Sequence, residues 1–265
     1  MTKITFLGTG GDNYLIGKCL RNSGGIVIQN GNLQFHIDPG PNSIMMAKNT
    51  GINVRETTAV ICTNPKLLHC ADLNSVIYAM TYGGMDIKGV LVTTKPILEG
   101  TDKEIPLLLN SSRDSVEKII LADSEKRIGI ENVDIQFHAT TNPNVVGMKI
   151  FMPDVIIGYS SDTAYSETIA NQYRKVDILI LNVLNPTGVK EHGEMSTDDA
   201  IKFIQKVRPQ LTIFTGFGKA MLEQDPILEA RRAHNETGCQ VLAAIDGQTV
   251  SPASYSAGSK QKRLK

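Results

Sequence analysis

The chain has 265 residues, 41% of them hydrophobic and 20% charged, enough to bury one full α/β core. Its 27 Lys plus Arg balance 27 Asp plus Glu, so no bulk positive field draws it to nucleic acid or acidic lipid, and neither a signal peptide nor a membrane-length apolar run is visible. Four cysteines, at 19, 62, 70 and 239, form no CxxC pair, which suits free thiols in a reducing compartment and places the protein in the cytoplasm.

In chain order, 3–7 reads as an opening strand, and the run Gly8, Thr9, Gly10, Gly11 reads as a tight turn. It does not meet GxGxxG and no helix signal follows at once, so a turn is favoured over a phosphate loop. Apolar runs at 25–29 and 33–37 flank Asn30-Gly31 and predict a hairpin. The hairpin ends at Asp38-Pro39-Gly40-Pro41, where Asp38 is either a turn former or a functional acid; His36 is assigned to packing.

The run 59–62 halts at Asn64-Pro65 and reads as a buried strand delivering a loop. That loop gathers Asn64, Lys66, His69, Cys70 and Asp72 within nine positions, ahead of Leu73, Val76, Ile77 and Met80 at helical spacing. Residues 87–93 predict another strand. Residues 95–127, with Pro96 and Pro106 and no clean period, predict an excursion of short elements. Strands follow at 128–138, 147–151 and 155–159, the last two joined at Pro153-Asp154, and at 177–183. Ser196 or Thr197 caps a helix whose start carries acidic residues, including Glu194 as a helix-dipole partner. A helix over 226–236 stops at Gly238, and 241–244 is the final strand.

A strand-rich, helix-containing pattern occurring twice fits two sheets between helices, an α/β four-layer αββα sandwich. It occupies residues 1–250 as one domain, with a polar, basic tail over 251–265.

Five segments, FLGTG (6–10), IDPG (37–40), YSSDT (159–163), FGKAML (217–222) and AIDG (244–247), resemble the metallo-β-lactamase fold superfamily, in the branch that includes tRNase Z and related phosphodiesterases. The resemblance spans Lys3 to Gly247. Relatives carry THxHxDH on the loop after a core strand, and this chain has Thr63, Asn64, Pro65, Lys66, Leu67, Leu68, His69 in that frame. On that alignment Asn64 and Lys66 stand where the first two His would be and Leu68 where the Asp would be. Thr141 and Gly216 stand at two further His positions, and only His69 and Asp162 remain of seven ligands. Asp38 becomes the acid that braces the His loop, and Glu194, with His192 near it, takes the place of a helper in substrate or proton handling.

A catalytic zinc or manganese pair needs imidazole and carboxylate donors in fixed number. Two retained positions predict no metal cofactor. Lys66 sharpens the point, because an ammonium has no lone pair, and two like unit charges about 4 Å apart repel by on the order of 4 kcal/mol at an effective dielectric near 20, double that for a dication. Lys66 is therefore expected to pair with Asp162 and fill the charge hole, with Asn64 and His69 supplying hydrogen bonds.

The favoured function is a non-hydrolytic, pseudoenzyme-like binding, regulatory or scaffolding protein, whose cleft either holds a small anionic ligand on Lys66 and His69 or is filled by its own side chains. Three alternatives stand beside it. One is a metal-dependent phosphodiesterase-like hydrolase rebuilt from His69, Asp162, His192 and Glu194, with zinc or manganese. Another is metal-free catalysis with His69 as base and Lys66 as electrophile, or Cys70 as nucleophile. The last is the inactive half of a heterodimer with a paralogue, where a homodimer is the other assembly expected.

Overall fold

A computed structural model describes residues 1–255. The first half runs β1 (Lys3–Phe6), α1 (Asn13–Gly17), β2 (Ile26–Asn30), β3 (Leu33–Ile37), α2 (Ser43–Asn49), β4 (Ala59–Cys62), α3 (Leu67–Cys70), α4 (Leu73–Thr81), β5 (Val90–Thr93), α5 (Lys95–Glu99), α6 (Asn110–Arg113) and β6 (Lys118–Leu121). The second runs β7 (Arg127–Ile130), β8 (Val133–Ala139), β9 (Val146–Phe151), β10 (Ile156–Tyr159), α7 (Glu167–Gln172), β11 (Ile178–Asn182), α8 (Thr197–Val207), β12 (Leu211–Thr215), α9 (Lys219–Glu223), α10 (Pro226–Thr237), β13 (Gln240–Ala243) and β14 (Thr249–Val250).

The strands form two sheets, in the orders β14-β1-β2-β3-β4-β5-β6 and β13-β12-β11-β10-β9-β8-β7. Each sheet is antiparallel on one side and parallel on the other: β3 to β6 are parallel in the first, β10 to β13 in the second. Parallel strands buried on both faces need continuous apolar runs. The ILILN run of β11 meets that requirement, with all five residues buried. β8, in the antiparallel part, instead alternates through Val133, Ile135 and Phe137 toward the core.

Between the sheets lies the main core, with Phe6, Ile28, Phe35 and Ile61 from one side and Phe137, Met148, Ile157 and Ile213 from the other. A second cluster packs Leu73, Val76, Ile77 and Met80 of α4 under the first sheet. A third packs Phe203 and Ile204 of α8 and Ala230 and Ala233 of α10 on the second sheet. The result is the expected four-layer sandwich.

Several boundaries differ from the sequence reading. α1 follows the glycine run directly, because Asp12 caps it by accepting from Leu15 N at 2.8 Å. The two-residue hairpin loop is Gly31-Asn32, one position later than Asn30-Gly31, since Asn30 pairs with Leu33 and Gly31 takes φ 58°. The run 128–138 is two strands folded back at Glu131, which adopts φ 52°. Within the supposed excursion, β6 is a parallel strand of the first sheet. Nor is β13 the last strand, because β14 pairs with β1. Tyr255 packs against the main core, so the first residues after 250 join the sandwich; the expected basic tail from 256 lies outside the described residues.

One carboxylate ties the opening turn to the end of the fold. Asp246 accepts from Thr9 N (2.9 Å), Thr9 Oγ1 (2.7 Å), Asn22 N (2.7 Å) and Asn22 Nδ2 (3.1 Å). Asp246→Ala strands these donors, and urea unfolding is expected to show a loss of about 3 kcal/mol, as for several charge-assisted hydrogen bonds removed together. A loss under about 0.5 kcal/mol, the range of ordinary surface substitutions, would show that the clasp contributes nothing.

Candidate functional site

Parallel strands of both sheets end at one edge of the sandwich, and the loops leaving β3, β4, β10, β11 and β12 meet there. Ligand sites in α/β sheets favour the carboxyl ends of strands because loops converge there on a rigid frame.

Asp38, the residue after β3, is 2% exposed and adopts φ 50°. The left-handed conformation is one that Asp tolerates better than most side chains. Its carboxylate accepts from Thr63 N and Thr63 Oγ1, both at 2.7 Å, from the Tyr159 hydroxyl at 2.8 Å, and stands 3.0 Å from His69 Nδ1. Turn former and functional acid are thus the same residue, and its bonds fasten the loop after β4 to β10 of the opposite sheet.

Asp162 sits at the centre. Ser161, at φ 52°, turns the chain just before it. Oδ2 accepts from Asn64 Nδ2 at 2.8 Å and Lys66 Nζ at 2.9 Å and lies 3.2 Å from His69 Nε2, while Oδ1 accepts from Asn182 Nδ2 at 2.9 Å. Because a carboxylate only accepts, the Asn64 and Asn182 amides must present their NH2 groups. Lys66 Nζ also donates to Glu194 Oε1 at 2.7 Å, linking the loop before α3 to the loop before α8.

Burial alone would lower the His69 pKa, but Asp162 and then Asp38 outweigh it and raise it to about 10. Both ring nitrogens face carboxylates, which favours the doubly protonated ring. Burial would raise the Asp162 pKa, yet His69, Lys66 and Asn182 hold it far below the ordinary carboxylate range. Lys66 loses to burial and gains more from Asp162 and Glu194, so its pKa is raised. Glu194 is pushed up by burial and then by Asp162, which Lys66 only partly offsets. Three carboxylates thus share two cations.

The expected pairing of Lys66 with Asp162 is present, together with the hydrogen bonds from Asn64 and His69. Glu194 faces Lys66 rather than serving the helix start, where Ser196 is the cap and Asp198 and Asp199 are the first-turn acids. His192 is exposed and makes none of the cluster's hydrogen bonds. Thr141 turns away, its hydroxyl accepting from Ala164 N at 3.0 Å. His36 is a packing residue, with Nε2 3.0 Å from Gly24 O and a pKa lowered by burial to about 4. Asn182, Tyr159 and Ser161 were not singled out in the sequence. The polar residue closing the apolar run of β11 was the available signal for Asn182.

Residues 34–217 match the Beta-lactamase superfamily domain. The chain belongs to that family. It is 25% identical over 252 residues to the uncharacterized protein MJ1374 of Methanocaldococcus jannaschii, covering 94% of each chain. Among solved structures it is similar to the metallo-β-lactamase fold protein YhfI from Bacillus subtilis, with a TM-score of 0.78, 16% identity, and 94% and 98% of the two chains covered. Human tRNase Z, short form, superposes with a TM-score of 0.65 at 14% identity over 94% and 98% of the chains. The superfamily read from the sequence motifs therefore stands, and the solved structures share its fold.

The superfamily's fold implies a metal pair at this edge, and the donors present do not fit one. Each His69 nitrogen already faces a carboxylate of the protein, Nδ1 at 3.0 Å from Asp38 and Nε2 at 3.2 Å from Asp162. Asp162 has all its near donors on the protein, and Lys66 Nζ occupies space 2.9 Å from it as a cation. At Gly216, φ is 67° and a Cβ would lie 3.0 Å from Asn182 Cγ, so Asn182 fills the room a ligand side chain there would need. Among the described residues no group of three or more His, Cys, Asp or Glu is arranged to hold a metal ion.

The same charges bear on metal-free catalysis. A raised His69 pKa weakens the ring as a general base at neutral pH. Cys70, buried and donating to Lys66 O at 3.2 Å, has its thiol pushed up to about 12 by burial first and Asp38 second, which leaves no thiolate nucleophile.

Two outcomes follow for the cluster. Asp162→Ala leaves two cations facing each other and should cost about 3–5 kcal/mol, the range for breaking a buried pair. Lys66→Ala should cost less, about 1–2 kcal/mol, because its side chain is 46% exposed and the pair is screened; equal losses in chemical denaturation would contradict this ordering. His69 has a folded pKa raised from 6.5 to about 10, so its contribution is complete below pH 6.5 and disappears as pH climbs through 10. Its ring should remain doubly protonated at pH 8 by 15N NMR. The decline in stability from pH 7 to 10 should be shallower in His69→Gln, with the buried Cys62 and Cys70 thiols accounting for the remainder; a ring neutral at pH 7 rules this out.

Proposed function

We propose that the protein is a non-hydrolytic member of its family, a binding or regulatory protein in which an internal ion cluster replaces the metal pair. The observation that carries this reading is the position of Lys66 Nζ, 2.9 Å from Asp162 Oδ2 and 2.7 Å from Glu194 Oε1. One cation of the protein's own satisfies the carboxylate that a metal pair would need. The surrounding framework is intact, so the fold keeps the cleft while the chemistry is removed.

The rebuilt-hydrolase reading loses support because His192 is exposed and outside the cluster, and His69, Asp162 and Glu194, though gathered there, are engaged with one another or with Lys66. A partner subunit bearing the chemistry is the second reading, which the loss of ligands without loss of fold also favours. We infer a cytoplasmic setting from the free state of Cys19, Cys62, Cys70 and Cys239. No helix among the described residues is long and apolar enough to cross a membrane.

Metal analysis of the protein purified without chelators, beside an assay on bis(p-nitrophenyl) phosphate, tests the assignment. Far less than one zinc, manganese or iron per chain and no hydrolysis above background are expected, including after metal is added back. A stoichiometric metal together with hydrolysis abolished in Asp162→Ala would overturn it. Activity appearing only in a co-purified paralogue complex would select the heterodimer.

A further inference from the structure

We propose that Glu194 is an internal stand-in for a ligand, and that the cleft is a binding site for a small singly charged carboxylate that takes its place on Lys66. This deepens the reading of the cleft as a non-hydrolytic binding site and rests on it.

The two cations of the cluster differ in what they can offer. His69 is enclosed, 8% exposed, with Asp38 on one nitrogen and Asp162 on the other. It has no donor to spare. Lys66 is 46% exposed at the mouth, and an ammonium carries three donors. Among the described residues it donates to two carboxylates, and these are held differently. Asp162 is fixed by Asn64, His69 and Asn182 as well as Lys66. Glu194 has its carboxylate on Lys66 alone.

The loop that carries Glu194 is held at its base, with Asn185 N donating to Met195 O at 3.2 Å and Thr197 N to Asn185 O at 3.0 Å. Beyond the base, Gly188 N donates to Asp198 Oδ2 at 2.8 Å, Asn185 Nδ2 to Glu191 Oε2 at 3.1 Å and Glu194 N to Glu191 O at 3.3 Å. The loop backbone is therefore fixed, and the displacement required is a turn of the half-buried Glu194 side chain alone. Gly193, immediately before it, has nothing within 4 Å of where a Cβ would stand.

Charge selects the ligand class. Turning Glu194 away removes one negative charge from Lys66, and one monoanion restores the present charge whatever the state of the other groups. A doubly charged phosphate would instead add a further negative charge beside Asp162, which Coulomb repulsion disfavours. An intramolecular carboxylate competes at an effective concentration in the millimolar range, so an external ligand must add contacts of its own to win.

The test removes the stand-in and supplies its functional group. Thermal melts of wild type, Glu194→Ala and Lys66→Gln/Glu194→Ala are compared in sodium acetate and in sodium chloride at matched ionic strength, with sodium phosphate as a further arm. Glu194→Ala is expected to gain several degrees in acetate over chloride, saturably, and less in phosphate. Wild type should respond only at roughly tenfold higher acetate, and the double variant not at all. An acetate gain equal in all three proteins, or absent from folded Glu194→Ala, overturns the proposal; so does a larger gain in phosphate. Should the double variant fail to fold, Glu194→Gln serves, since it should bind acetate more weakly than Glu194→Ala with Lys66 intact. None of these outcomes depends on metal content or phosphodiesterase activity, so this inference can fail while the non-hydrolytic assignment survives, and the reverse.

Discussion

A single carboxylate, Asp162, governs the cleft. It is largely enclosed where two sheets meet, and an unpaired charge there is costly enough that the surroundings must answer it. Two cations and two amides do so from three elements: His69 from α3, Lys66 and Asn64 from the loop after β4, Asn182 from the end of β11. Because the donors come from both sheets, neutralising the charge also sets how the loops of one half sit against the other.

Asp38 works in the same way one layer further in. It orients the His69 ring through Nδ1 and holds the β4 loop through the Thr63 amide and hydroxyl. In a metal site, a carboxylate behind a histidine fixes its tautomer and raises its basicity. Here Asp162 faces the other nitrogen as well and raises the basicity further. Flanked by two carboxylates, the ring is placed to hold a positive charge.

Much of this was legible in the residues. Buried strands announced themselves as apolar runs, and the break at Asn64-Pro65 located the central loop. The identity of Lys66 was enough to expect its partner, since a cation beside a retained acid has one favourable outcome. Glu194 was harder to place: an acid two residues before a cap reads as helix-dipole chemistry, and only the crossing of two loops brings it to Lys66. Asn182 was hidden because it closes an apolar strand and looks like part of it. Strand β6 was obscured by prolines and charges on the residues preceding it, and the split at Glu131 by a left-handed turn made without glycine.

The Gly216 backbone limits what a single substitution can build beside Asp162. An imidazole placed at that position meets Asn182, the amide that donates to Asp162, and must also abandon a left-handed conformation suited to glycine. Positions 216 and 182 are thereby coupled: a side chain at the first needs a smaller partner at the second and a reshaped turn after β12 before it can fit.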